Sequence, residues 1–318
     1  MRVDGRIFIE ATAVVIPDER QHIDHALTRG FVSAKAAAKS EISDISVASN
    51  GQTAEELALI AGHEVLRSAD IAPVDIDFLA HASIAHGLDD WTIAPRLSRL
   101  LGANRAVSMG VRQMSNGGAM AVQVAIAQMI AETRFEHGLV LTGDVAGQDA
   151  SWRWQLHMGA ALADSATALL LSRATGALSV RSVASCGAPQ EEAWYHERAT
   201  LGEAAATKPN VFRLRKATRA AVQNACADAD IEFGDPRLTV TVLPRLTPAF
   251  CESAFHEVLP DTEVVNLSGE TGHLFAGDLT ANLNYLCTKR SLAPGEYALV
   301  INVGVGLTAT AIVVRGEE

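Results

Sequence analysis

One order of elements, run through twice, constrains this chain of 318 residues more than any other feature of it. In the first pass residues 54–68 follow a helical period, and residues 77–82 read as a buried strand. An amphipathic helix near 95–101, a strand at 106–109, an apolar helix beyond Ser115, and strands at 138–142 and 166–171 follow. From about residue 175 a similar order begins again, with a helix at 211–227, a strand at 238–243, a helix near 248–258 and a strand at 263–265. A helix at 278–287 and strands at 297–303 and 308–314 close it. Such alternation predicts an α/β fold in which helices cover parallel or mixed sheets. No Pro- or Ser-rich linker separates the two passes, so halves at 1–174 and 175–318 are expected to share one core.

Apolar residues make up 48% of the chain and charged residues 20%, enough for a large core in a globular protein. No stretch approaches the ~20 apolar residues of a membrane helix. The opening Met1-Arg2-Val3-Asp4-Gly5 lacks the apolar run of a signal peptide, so a cytoplasmic protein is expected. Cys186, Cys226, Cys251 and Cys287 are widely spaced without a Cys-x-x-Cys pattern, which argues against a zinc ribbon or a disulfide framework and predicts buried thiols; no metal site is expected. The net charge of −11 disfavours nucleic acid, whose phosphates need a basic face. Arg213, Arg215, Lys216 and Arg219 form a local basic run, either a solvated helix face or a patch for an acidic partner.

The segment Gln113-Met114-Ser115-Asn116-Gly117-Gly118 opens a helix whose residues 119–130 are apolar or small except Gln123 and Gln128, so the helix is expected to be buried nearly all round. A serine at such a start can cap the helix, a contribution of ~1 kcal/mol. It can also react: the free N–H groups and partial positive charge of a helix N-terminus favour an anion developing beside them, which suits a nucleophile attacking a carbonyl. The composition of the turn leaves both readings open.

Taken together, the run 53–82, Leu100 to Gly102, the Ser115 turn, Ala163-Asp164-Ser165-Ala166, Asn210-Val211-Phe212 and Gly304-Val305-Gly306-Leu307-Thr308 occur in the order that resembles the β-ketoacyl-ACP synthase III branch of the thiolase-like superfamily. The resemblance implies a duplicated, five-layered α/β/α/β/α fold and a homodimer. It implies no bound cofactor but a phosphopantetheine-linked acyl donor, on acyl carrier protein or coenzyme A. The family's nucleophilic cysteine has its place here at Ser115, and its oxyanion hole would use the backbone N–H groups of Ser115 and Gly306. Coenzyme-A-using members stack a tryptophan on adenine, and residues 27–32 contain none, which favours a carrier protein. The pantetheine arm would then pass Phe212, with Arg213 and Arg215 facing the acidic carrier. Trp152, Trp154 and His157 fall in a segment that the family uses at its dimer interface and pocket wall, where two tryptophans could accept a ring-bearing substrate.

The departures carry as much information. Where synthases of this family have a histidine and an asparagine that stabilise the enolate of decarboxylating malonyl-ACP, this chain is read as having Arg245 and Glu270, expected to form an ion pair that closes the malonyl site. In exchange it has His273 and, five residues on, Asp278. A serine needs a base to take its proton as it attacks, histidine is the usual one, and a carboxylate behind the histidine fixes its tautomer. Other readings make His273 a loop residue bonded to backbone and Asp278 a first-turn residue of the next helix. The pattern resembles divergent family members of antibiotic and polyketide pathways, which move an acyl group from a carrier to a hydroxyl or amine of a small molecule. A starter-unit ketosynthase or loader of a polyketide synthase, and a catalytically silent partner subunit, are the alternatives.

Overall fold

The structure, a computed structural model, describes residues 1–84, 92–147, 151–193 and 211–318; Asn210 lies outside the described residues. The first half contributes strands β1 (Phe8–Val15), β2 (Phe78–Ala82), β3 (Val107–Val111), β4 (His137–Asp144) and β5 (Ser165–Ser172). The second contributes β6 (Leu178–Gly187), β7 (Leu238–Val242), β8 (Glu263–Val265), β9 (Tyr297–Gly304) and β10 (Thr308–Gly316). The helices that cover them are α1 (Ala54–Ala69), α2 (Ile93–Leu101) and α3 (Gly117–Ala131), then α4 (Val211–Asp228), α5 (Pro248–Phe255) and α6 (Asp278–Thr288).

The strands lie in the order β8-β7-β9-β10-β6-β1-β5-β4-β2-β3. Within the first half β1 pairs antiparallel with β5 and β5 with β4, while β4 and β3 both run parallel to β2. The second half repeats this order and these senses, from β6 to β10, β9, β7 and β8. The halves meet where Phe8 and Ile9 of β1 pair with Ser179 and Leu178 of β6. The chain is thus a structural duplication, as its repeated element order predicts.

Alternation along the strands builds the layers, because successive side chains leave opposite faces of a sheet. On β5, Ala166, Ala168 and Leu170 pack with Leu57 and Val65 of α1 and Leu97 of α2. Leu169 and Leu171 point the other way, into a core with Val122 and Ile126 of α3 and Leu279 and Leu283 of α6. On β9, Ala298 and Val300 join that same central core, whereas Leu299 and Ile301 pack with Ala221 of α4 and Phe255 of α5. Two sheet halves therefore enclose α3 and α6, and α1 with α2 and α4 with α5 cover them outside.

α3 is not buried all round. Met120, Gln123, Val124 and Ala127 are half-buried and Gln128 is exposed. Val107 and Met109 of the edge strand β3 are exposed as well. At its other end α3 is tightly held: a Cβ on Gly118 would stand 2.2 Å from the carbonyl oxygen of Ala276, just before α6. The starts of the two central helices therefore come close together.

Candidate active site

Ser115 is the middle residue of a short 3₁₀ turn, Met114–Asn116, between β3 and α3. Its hydroxyl caps no helix. Instead it donates to Nε2 of His273 at 2.8 Å. The turn is pinned from the second half of the chain: Asn116 Nδ2 donates to Thr310 Oγ1 at 2.8 Å as well as to Gln113 Oε1 at 2.7 Å. The carbonyl of Ser115 accepts from Asn302 Nδ2 at 2.8 Å.

His273 reaches Ser115 because the chain reverses at Gly272, whose φ of +76° suits glycine; a Cβ there would meet the carbonyl of Ala161 at 2.6 Å. The histidine backbone is then fixed on both sides, its N–H donating to Ala161 at 2.7 Å and its carbonyl accepting from Ala163 at 2.9 Å. Asp278, the first residue of α6, is fully buried and lies with Oδ2 2.5 Å from His273 Nδ1. It also accepts from the N–H groups of Leu274 at 2.7 Å and Arg245 at 2.9 Å. A carboxylate so supplied with donors acts as an acceptor towards the imidazole, so Nδ1 carries the proton and Nε2 is left to accept from the Ser115 hydroxyl.

Arg245 and Glu270 do not meet, contrary to the pairing expected from sequence. The buried Arg245 guanidinium donates to Asn282 Oδ1 at 3.0 Å and to Thr271 Oγ1 at 2.8 Å. Burial pushes its pKa down from the ordinary value, against the pull of the nearby Asp278 and Glu270 charges. Glu270 is exposed and pairs with Lys289 at 3.2 Å. The short helix Ser268–Thr271 turns that side chain outwards, and the residue of this segment that faces Ser115 is His273.

Ser115 and His273 open onto a cavity of about 230 Å³ whose wall is mostly apolar. Trp152, Phe275, Leu214 of α4, Phe250 of α5 and Met158 line it, with Gln155 as a polar exception. Trp152 packs edge-on against Phe275, ring centroids 6.0 Å apart. Trp154 is not in this wall: it is buried, with Nε1 donating to Gln21 at 2.7 Å. His157 lines a separate hollow with Lys39 and Ser40. Gly304, Val305 and Leu307 border the main cavity, while Gly306, with φ of +81°, belongs to the turn between β9 and β10.

At the start of α4 Phe212 is 70% exposed. Arg213 and Arg215 are engaged within the chain, Arg213 with Glu191 at 2.6 Å and Arg215 with Glu257 at 2.8 Å. Sequence reasoning overlooked Phe250, Phe275 and Asn302. The last had a signal, a lone amide in the otherwise apolar run from Ala298 to Val303. Among the described residues no group of three or more His, Cys, Asp or Glu side chains could hold a metal ion, and no helix is long and apolar enough to cross a membrane.

This duplicated architecture is the thiolase-like fold, in the form found in the ketosynthase-III-like proteins. Among solved structures the chain is similar to ChlB3, described as an acyltransferase, at 25% identity over 98% of each chain with a TM-score of 0.86. It is also similar to a priming β-ketosynthase of a polyketide biosynthetic pathway, at 15% identity over 98% of this chain and 96% of that one, TM-score 0.76. A third is the 3-oxoacyl-(acyl carrier protein) synthase III, FabH, of Xanthomonas oryzae pv. oryzae, at 15% identity over 97% and 98%, TM-score 0.78. No family model matches the chain, and no curated protein matches it by sequence.

Proposed function

We propose that this protein is an acyltransferase that holds an acyl group as an ester of Ser115 and passes it to a hydroxyl or amine of a small specialised metabolite. The observation that carries the reading is the unbroken chain Ser115 Oγ to His273 Nε2 to Nδ1 to Asp278, at 2.8 and 2.5 Å, in the wall of an apolar cavity. The likeness to an acyltransferase supports it. A silent partner subunit would have no need of a buried histidine held on three sides.

In the first half-reaction Ser115 Oγ attacks the carbonyl of a thioester as its proton passes to Nε2, and Asp278 stabilises the imidazolium. The carbonyl oxygen becomes an oxyanion, for which the backbone N–H groups of Ser115 and Gly306 are the proposed donors. Collapse breaks the carbon–sulfur bond, and the departing pantetheine sulfur takes the proton from Nε2. In the second half-reaction the acceptor gives its proton to Nε2 and attacks the ester. The Ser115 oxygen then leaves and recovers the proton.

The donor is read as a phosphopantetheine arm on an acyl carrier protein rather than coenzyme A, entering past Phe212. Arg213 and Arg215 would meet an acidic carrier only by sharing or exchanging their bonds to Glu191 and Glu257. A homodimer formed across the edge strand β3, which exposes Val107 and Met109, and a cytoplasmic location complete the reading.

Intact-protein mass spectrometry tests it. After incubation with a panel of acyl carrier proteins, the protein should gain one acyl mass, and Ser115→Ala should gain none while remaining folded. Equal labelling of Ser115→Ala would remove the serine from the reaction.

A further inference from the structure

Asn302 is an amide where the strand around it calls for a hydrocarbon. It is fully buried within β9, between Ile301 and Val303. Its Nδ2 donates to the carbonyl of Ser115 at 2.8 Å and lies 3.4 Å from Asn116 Oδ1. Its own Oδ1 is buried with no hydrogen-bond partner among the described residues. An unpaired oxygen at such depth costs stability, so the amide is poorly explained as a packing element alone. Both of its N–H bonds are directed at a single short turn.

That turn needs holding. Met114, next to Ser115, has a φ of +49°, a conformation that side chains other than glycine rarely adopt. Phe275 and Leu307, which border the same cavity, also have positive φ, at +54° and +49°. Strained backbone persists only where surrounding structure over-determines it. Around Ser115 that structure is Thr310 of β10, bonded to the Asn116 side chain, and Asn302 of β9, bonded to the Ser115 carbonyl. Without Asn302 the peptide after Ser115 could rotate, and the hydroxyl would lose its 2.8 Å approach to His273.

We propose that Asn302 is a positioning residue for Ser115, fixing the carbonyl of the serine so that its hydroxyl faces His273 Nε2. This rests on the reading of Ser115 as the nucleophile. A fluorophosphonate probe tests both without knowledge of the acyl donor. Ser115 Oγ forms a bond to phosphorus, fluoride leaves, and the serine proton passes through Nε2 to solvent.

Asn302→Asp is nearly isosteric. Ionised, its carboxylate repels the Ser115 carbonyl; protonated, its O–H restores the donor, and burial raises the pH at which that form persists. The variant should label about tenfold or more slowly than the unsubstituted protein at about pH 8, and this ratio should narrow as pH falls. Asn302→Leu, which has no donor, should label slowly without any such narrowing. Thermal melts and near-ultraviolet circular dichroism check folding, and the Asp variant alone decides if the Leu variant does not fold. A rate equal to that of the unsubstituted protein, or a ratio constant with pH, overturns the role of Asn302. Absence of label on Ser115 in the unsubstituted protein overturns the nucleophile reading and this inference with it.

Discussion

Ser115 and Asp278 stand at matching places in the two halves of the chain: Ser115 lies just before α3, and Asp278 begins α6, the counterpart of α3 in the second half. His273 bridges them, with one ring nitrogen on each. The duplication thus sets the N-termini of two buried helices face to face. It provides a hydroxyl at one and a carboxylate at the other.

Asp278→Asn tests how much of the site depends on that carboxylate. Asp278 accepts from His273 and from the backbone of Leu274 and Arg245, so an amide in its place must turn an NH₂ towards at least one donor. The variant should lose about 1–3 kcal/mol of stability in urea unfolding. Its acylation should also slow sharply, because the histidine loses the partner that fixes its tautomer. Combined with His273→Ala, it should cost little acylation rate beyond the histidine change alone, as expected of residues acting as one unit. Additive rate losses would mean that one of the two is purely structural.

Gly118→Ala adds a single methyl group that itself takes no part in proton transfer. Its Cβ would stand 2.2 Å from the Ala276 carbonyl and 3.2 Å from Thr142 Cγ2, and a backbone carbonyl cannot step aside as a flexible side chain can. The expected result is a destabilisation of about 1–3 kcal/mol together with a large loss of acylation, as α3 and the Ala276 turn are forced apart. A variant with unchanged stability and activity would show that the two helix starts need not touch.

The cysteines should divide by burial. Desolvation pushes Cys226 and Cys287 up to about 11 and Cys251 to about 12, from an ordinary 9.0. Iodoacetamide reacts with thiolates, so at about pH 8 these three should stay unmodified in the folded protein. Peptide mapping should find the half-buried Cys186 alkylated before the buried Cys226 and Cys251. The sign for stability follows from raised folded values. The contribution of these thiols is complete below about pH 9 and is lost as pH rises towards 11 and 12, since the unfolded chain ionises first. A urea midpoint that rose between about pH 9 and 11 would contradict this.

Much of the fold was legible because most elements show one clean period: α1, α4 and α6 and the strands β7 to β10 begin or end within a few residues of their sequence limits. The two strands that join the halves, β1 and β6, were not anticipated. Thr12, Ser182 and Ser185 interrupt their apolar pattern, and such residues become tolerable only when distant partners are in place. Thr12 Oγ1 accepts from Asn284, Ser182 donates to the carbonyl of Ala225, and Ser185 bonds Gln123 and Thr310. The site divides in the same way. Residue types singled out Ser115, His273 and Asp278, but nothing local could say that Glu270 faces Lys289 while His273, three residues on, turns inwards. That reversal depends on Gly272 packing against the carbonyl of Ala161, a contact between segments more than 100 residues apart.

The last expectation concerns chemistry that should be missing. Decarboxylation of a malonyl thioester leaves an enolate, which needs donors converging on its oxygen. In this cavity His273 is already committed to Ser115 and Asp278. The Arg245 side chain is spent on Asn282 and Thr271, and Glu270 lies outside the cavity wall. Supplied with malonyl carrier protein, the enzyme should release no CO₂ above background and form no β-ketoacyl product, even under conditions in which its acyl-enzyme forms. Trapped ¹⁴CO₂ and mass spectrometry of the carrier measure the two outcomes independently. Stoichiometric CO₂ together with a chain-extended product would mean that the single imidazole serves both steps, and would make the protein a starter-unit ketosynthase instead.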